Sequence, residues 1–182
     1  NFGDGNDIIG NNNGTLSGGV ILGNGNDILT HIGLLEGDLL GGADNDQIDI
    51  FGTVTGNIDV SSGDDSVSIV GGLASLNLYT ESGNDSIYNF GTINGVVDAG
   101  AGSDTLGNGG LIIGEVSTGF EIDLIINSVT GTINGAIRGQ DGDDTIINFG
   151  LANGLAGLTG GDGRDSLVNA GTITAAQAGI LG

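Results

Sequence analysis

The sequence predicts an all-β protein, a parallel β-solenoid of about nine coils of 19–21 residues. Three observations carry that prediction. A short acidic phrase returns nine times at a nearly constant interval, an aliphatic residue keeps a fixed offset from it, and 40 glycines punctuate a chain without Pro. Self-similarity at a period near 20 residues marks units that bury their apolar faces only by stacking.

The phrase is GDGND ending at Asp7, GNGND at Asp27, GADND at Asp46, SSGDD at Asp65 and ESGND at Asp85. It continues as GAGSD at Asp104, a degenerate GFEID at Asp123, QDGDD at Asp144 and GDGRD at Asp165. The intervals are 20, 19, 19, 20, 19, 19, 21 and 21 residues. They cover residues 1–182 as a single repeat domain, and a chain that opens inside a repeat is expected to be a fragment of a longer array.

Strands come next. Two residues after each Asp stands Ile9, Leu29, Ile48, Val67, Ile87, Leu106, Ile125, Ile146 or Leu167, and the position is aliphatic in all nine copies. Eight after come Leu35, Val54, Leu73, Ile93, Ile112, Ala152 and Ile173; twelve after come Leu39, Ile58, Val97 and Val116. Polar and apolar residues alternate around them in runs of four to six broken by Gly, which indicates short strands. Each coil is therefore expected to hold two strands and two turns, with coils roughly 4.8 Å apart and nine coils making a rod about 43 Å long.

The non-acidic turn carries its own column. Four residues after the Asp stand Asn11, Asn89, Asn108, Asn127, Asn148 and Asn169, replaced elsewhere by His31, Ile50 and Ile69. Stacked Asn side chains bond their counterparts above and below, and the Gly two residues on suits a tight turn. The single histidine sits inside this ladder, so its expected role is structural. Phe51, Phe90 and Phe149 share the next position and read as turn packing.

Charge selects the chemistry. The net charge is −21, and seventeen of the 23 acids fall in the five residues ending at a repeat Asp. Unit charges 4.8 Å apart repel by roughly 0.9 kcal/mol in water and about fourfold more at an effective dielectric of 20. Bound divalent cations reverse the sign of that term. Ca²⁺ takes several hard oxygens, including backbone carbonyls, which glycine turns present freely. One ion between successive turns gives up to about eight sites. The expected ligands are Asp7, Asp27, Asp46, Asp65, Asp85, Asp104, Asp144 and Asp165, with Asp4, Asp44, Asp64, Asp141, Asp143 and Asp162 in the same turns. The weakest step is expected between Asp104 and Asp123, where Phe120, Glu121 and Ile122 replace small residues.

These turns resemble the calcium-binding repeats of RTX (hemolysin-type) proteins, whose pattern is G-G-x-G-x-D-x-U-x. GGDGRDSLV at 160–168 matches throughout, and GDGNDII, GNGNDIL and GAGSDTL match its centre. One acidic turn per coil, where the common form has two, is similar to repeat regions of large bacterial surface adhesins and autotransporter-type passengers. The resemblance implies a secreted or cell-surface protein whose repeats fold on meeting calcium.

Several classes are excluded or set aside. Acidity argues against nucleic acid, no apolar run is long enough for a membrane helix, and without Cys there is no disulfide or thiolate chemistry. With one His and two Arg in different coils, no catalytic residues are expected and the chain reads as a non-enzyme. The leading expectation is a structural segment of an adhesin, fibre or surface layer, with head-to-tail self-assembly as a partner mode. The alternatives are a glycan- or ice-binding module and the noncatalytic repeat tail of a secreted enzyme. Ice binding needs flat, regularly spaced Thr and Asx rows, and the residues three before each Asp are Asp4, Asn24, Ala43, Ser62, Ser82, Ala101, Phe120, Asp141 and Asp162, with no Thr among them.

Overall fold

The computed structural model describes residues 1–11, 13–174 and 180–181. Among them every strand pairing is parallel, and each strand joins its counterparts one coil before and one coil after. One coil shows the plan. The chain runs along Val20–Asn24, turns through the acidic phrase, and continues as Ile28–His31. It then bends at Gly33, forms Leu34–Glu36, and bends again at Gly37 to begin the next coil at Leu39–Ala43. We call the three resulting stacks sheets A (Val20–Asn24 and its equivalents), B (Ile28–His31) and C (Leu34–Glu36).

The solenoid is thus three-sided, with three strands per coil where the repeat pattern suggested two. The third strand escapes the pattern because it is short. In sheet C the strands Thr53–Val54 and Thr92–Ile93 are only two residues long, too few for alternation to register. Three corners follow from three sides, and each carries its own hydrogen-bonded column.

Inward residues from all three sheets fill one continuous core. Leu29 and Ile48 from sheet B, Leu35 and Val54 from sheet C, and Leu39 and Ile58 from sheet A are buried. In most coils sheet A sends a second residue inward, five before the Asp: Leu22, Val60, Thr80, Ala99 and Thr118 are all fully buried. Each large aliphatic removed from water contributes about 2 kcal/mol, and the parallel register aligns them into ladders. Leu73 is a correction to the eight-residue offset. Ala74 pairs with Val54 and Ile93 and holds the buried place, while Leu73 is only half-buried. An extra residue at Gly71–Gly72 shifts that coil by one.

Insertions sit at corners, where no ladder is interrupted. Val129 and Thr130 lengthen the B–C corner of one 21-residue coil. Leu155 and Ala156 lengthen the C–A corner of the other. Val129 is 78% exposed and Leu155 77% exposed.

The B–C corner contains the Asn ladder. Asn89 Nδ2 donates to Asn108 Oδ1 (2.8 Å), Asn108 to Asn127 (2.8 Å), Asn127 to Asn148 (2.7 Å) and Asn148 to Asn169 (2.7 Å). His31 is buried among these positions, with Nδ1 3.0 Å from Asn11 Nδ2 and Nε2 3.1 Å from the Thr53 carbonyl. A neutral ring protonated on Nε2 satisfies both contacts. The C–A corner holds a column that the sequence reading missed. Asp38 Oδ1 accepts the Asn57 N–H (2.8 Å), Asn57 Oδ1 that of Asn77 (3.1 Å), and Asn77 Oδ1 that of Val96 (3.0 Å).

Candidate metal centre

The A–B corner is built on two left-handed residues. In every coil the residues four and two before the Asp have positive φ, as at Gly23 (127°) and Gly25 (120°). Thirteen of these eighteen positions are Gly; Asp44, Ser61, Glu81, Glu121 and Gln140 hold the rest at 67–85°. The G-x-G of the phrase is therefore a backbone requirement. Packing enforces it, since a Cβ on Gly83 would run into the Gly63 carbonyl of the preceding coil.

The repeat aspartates turn inward from this corner. Asp27, Asp46, Asp65, Asp85, Asp104, Asp123 and Asp144 are 1–3% exposed. Each Oδ1 accepts the backbone N–H of the Asp one coil earlier, from Asp7 N–H on Asp27 to Asp144 N–H on Asp165, at 2.7–3.1 Å. This ladder satisfies an amide that the turn removes from the sheet. The second oxygen is left over. Oδ2 is buried without a partner in Asp7, Asp27, Asp46, Asp65, Asp85, Asp104, Asp123, Asp144 and Asp165.

Half-satisfied carboxylates ionise reluctantly. Burial pushes Asp46 and Asp123 up to about 6 and Asp65 and Asp104 up to about 7. Burial raises Asp85 and Asp144 likewise. The donated N–H opposes the shift, and carboxylates in adjoining coils add to it.

The remaining expected ligands lie on the outer, solvent side of the turn. Asp64 Oδ1 accepts the Asn84 N–H (2.7 Å) and Asp143 Oδ1 that of Arg164 (2.9 Å). They belong to a second ladder, one residue before the Asp, that runs in the opposite sense through Asn6, Asn26 and Asn45. Asp4 Oδ1 accepts from Asn24 Nδ2, Asp44 occupies a left-handed position, and Asp141 and Asp162 are exposed. The turn backbone separates these acids from the buried Oδ2 column. Among the described residues no three His, Asp or Glu side chains converge on one point. A cation here would be held by a carboxylate and backbone carbonyls.

The seventh turn keeps the backbone of its neighbours despite its bulky residues. Phe120 and Ile122 are 57% and 61% exposed and point outward, and Glu121 Oε2 accepts the Gly102 N–H (2.9 Å). Asp123 is buried and laddered like its neighbours, so it joins the inner column that the ligand set omitted.

The residue five before the Asp faces Oδ2. A Cβ on Gly41 would meet Asp46 Oδ2 at 2.6 Å and the Val60 carbonyl oxygen at 3.0 Å. One on Gly139 would press on Asp144 Oδ2, with the Gly160 carbonyl oxygen at 2.8 Å. At these two steps the buried carboxylate and the backbone of the next coil close in on the place a Cβ would take, so glycine lets the carboxylate pack against the strand. Hard oxygens of these two kinds are what Ca²⁺ takes, so the donor chemistry fits.

Both arginines are engaged. Arg138 Nε lies 2.8 Å from Glu115 Oε1, and Arg164 Nη2 lies 2.9 Å from Asp143 Oδ2. Arg138, Gln140, Asp141 and Thr159 line an open groove of about 390 Å³ on the outer face of sheet A.

Fold and corners together define a parallel β-solenoid repeat protein of about nine coils. Comparison with protein-family models, with curated proteins and with solved structures gave no match.

Proposed function

We propose that this chain is a calcium-stabilised structural segment of a secreted or surface-displayed bacterial protein, serving as a stiff extender in an adhesin, fibre or surface layer. The observation that carries the reading is the column of buried aspartate Oδ2 atoms without partners in all nine coils. An orphaned buried carboxylate oxygen costs stability unless a proton or a cation meets it. When bound, calcium supplies the positive charge that lets these carboxyls stay ionised inside the rod. The residues that would hold it are the repeat aspartates themselves, through Oδ2.

The chain's own residues do the rest. The Asp Oδ1 ladder and the outer Asx ladder fix the spacing of the turns, and the Gly-rich backbone brings carbonyls close to the acid column. Calcium at about 10⁻⁴–10⁻³ M outside cells suits extracellular modules, which supports placement there. A noncatalytic role is supported by His31, whose two nitrogens are engaged in packing contacts, and by the pairing of both arginines.

The test is far-ultraviolet circular dichroism of the purified chain near pH 8, first in EDTA and then with added Ca²⁺. The reading expects a β signal that strengthens, with a higher melting temperature, as Ca²⁺ is added. Identical spectra and melting in EDTA and calcium would overturn it.

A further inference from the structure

The geometry points to a second function, carried by the outer face of sheet B: a binding surface for an uncharged glycan chain, with Tyr88 and Phe90 as its stacking platform. The surface is separate from the acid column and does not depend on what fills that column.

Sheet B turns alternate residues inward to the core and outward to water. From the fourth coil on, its outward residues form two parallel rows. One row is Ser66, Ser86, Thr105, Leu124, Thr145 and Ser166; the other is Ser68, Tyr88, Gly107, Ile126, Ile147 and Val168. None of them is charged, in a chain whose net charge is −21. One coil earlier Asp49, bonded by Gln47 Nε2 at 2.8 Å, ends the uncharged stretch. The first row is mostly hydroxyl and the second mostly apolar, and they run about 7 Å apart for about 24 Å along the rod.

Two aromatic rings stand side by side on this face. Tyr88 is 41% exposed and Phe90 61%. Both lean over glycines of the next coil. Cδ1 and Cε1 of Tyr88 lie 3.1 and 3.4 Å from the place of a Cβ on Gly107, and those of Phe90 lie 2.8 and 3.0 Å from the place of one on Gly109. The absence of side chains at Gly107 and Gly109 gives the rings their seat. Asn89, between them, is buried in the ladder and donates to Asn108 (2.8 Å), which anchors the strand that presents both rings. Turn packing alone would cover Phe90, yet more than half of it faces water.

Exposed apolar surface rimmed by polar groups marks a binding site. Chemistry selects the occupant. A pyranose has C–H groups on its ring faces and hydroxyls at its rim, so it stacks on an aromatic ring while bonding Ser and Thr hydroxyls alongside. Charge selects a neutral one. The A–B corner along one edge of the face carries Asp64, Glu121 and Asp143, which repel uronate and sulfated chains. A second copy of this chain would bring its own −21, so charge also opposes self-pairing on this face.

Isothermal titration of the whole chain, with Ca²⁺ present, against cellohexaose, chitohexaose and mannohexaose tests the surface, with hexagalacturonate as the charged control. At least one neutral hexasaccharide should bind, and hexagalacturonate should not. Tyr88→Ala and Phe90→Ala should each weaken that binding tenfold or more. Tyr88→Phe, which keeps the ring, should retain it, as should Tyr79→Ala on sheet A. Circular dichroism checks that each variant keeps the wild-type β spectrum. The proposal is overturned if no neutral hexasaccharide binds, if binding survives both alanine variants, or if sedimentation shows a dimer that Tyr88→Ala dissociates. None of these outcomes bears on the calcium reading.

Discussion

Asp65→Asn isolates the cost of the acid column in one atom. Asp65 is 2% exposed; its Oδ1 accepts the Asp46 N–H at 2.7 Å, and its Oδ2 has no partner. Asparagine keeps the Oδ1 acceptor and places a neutral NH₂ where Oδ2 stood, so it mimics the protonated acid. Burial holds the folded carboxyl at about 7 against an ordinary 3.8. A group raised in the folded state stabilises it below the unfolded value and loses that contribution as pH rises through the folded one. Near pH 8 in EDTA the wild type should therefore be less stable than Asp65→Asn by about 2 kcal/mol, because the cost of ionising the buried acid is partly offset by the asparagine NH₂, buried without an acceptor. The variant's advantage should be lost as pH falls below about 7 towards about 4. Urea unfolding followed by far-ultraviolet circular dichroism at both pH values measures it. An Asp65→Asn variant that is less stable than wild type near pH 8 in EDTA would refute the reasoning, because the ionised carboxylate would then have a partner.

Three further outcomes follow from the corners. Asn108→Ala removes the acceptor of Asn89 Nδ2 and the donor to Asn127 Oδ1, both buried, and should cost about 2–4 kcal/mol in urea unfolding. Gly83→Ala meets φ +139° and the Gly63 carbonyl, and should cost roughly 3 kcal/mol or more; Gly71→Ala, at φ +70° in open space, should cost only about 1–2 kcal/mol. Deleting Val129 and Thr130 restores a 19-residue coil and should change stability by less than about 1 kcal/mol, with an unchanged β spectrum.

The repeat period, the parallel stacking and the Asn ladder were legible because each rests on side-chain identity at a fixed offset. Leu29, Ile48 and Val67 recur two after the Asp, and their burial follows from stacking alone. The third sheet was hidden because a pair such as Thr53–Val54 carries no periodicity. Leu73 misled because a one-residue shift at a glycine corner leaves another apolar residue, Ala74, next in line. The direction of the aspartates was harder still. An acidic turn reads as solvent-facing, and only the three-dimensional register reveals that Asp46 turns inward while Asp44 turns outward. Gly41 looked like an ordinary strand residue, because its packing against Asp46 and against Val60 of the next coil appears only with the register.

The central claim is that the buried acid column, and not the outer acids, meets calcium. Anomalous diffraction from crystals grown in calcium measures this directly. The account predicts peaks inside the A–B corner, beside the buried Oδ2 atoms of the repeat aspartates. Calcium peaks only among Asp4, Asp141 and Asp162 on the solvent side, or none at the corner, would contradict it.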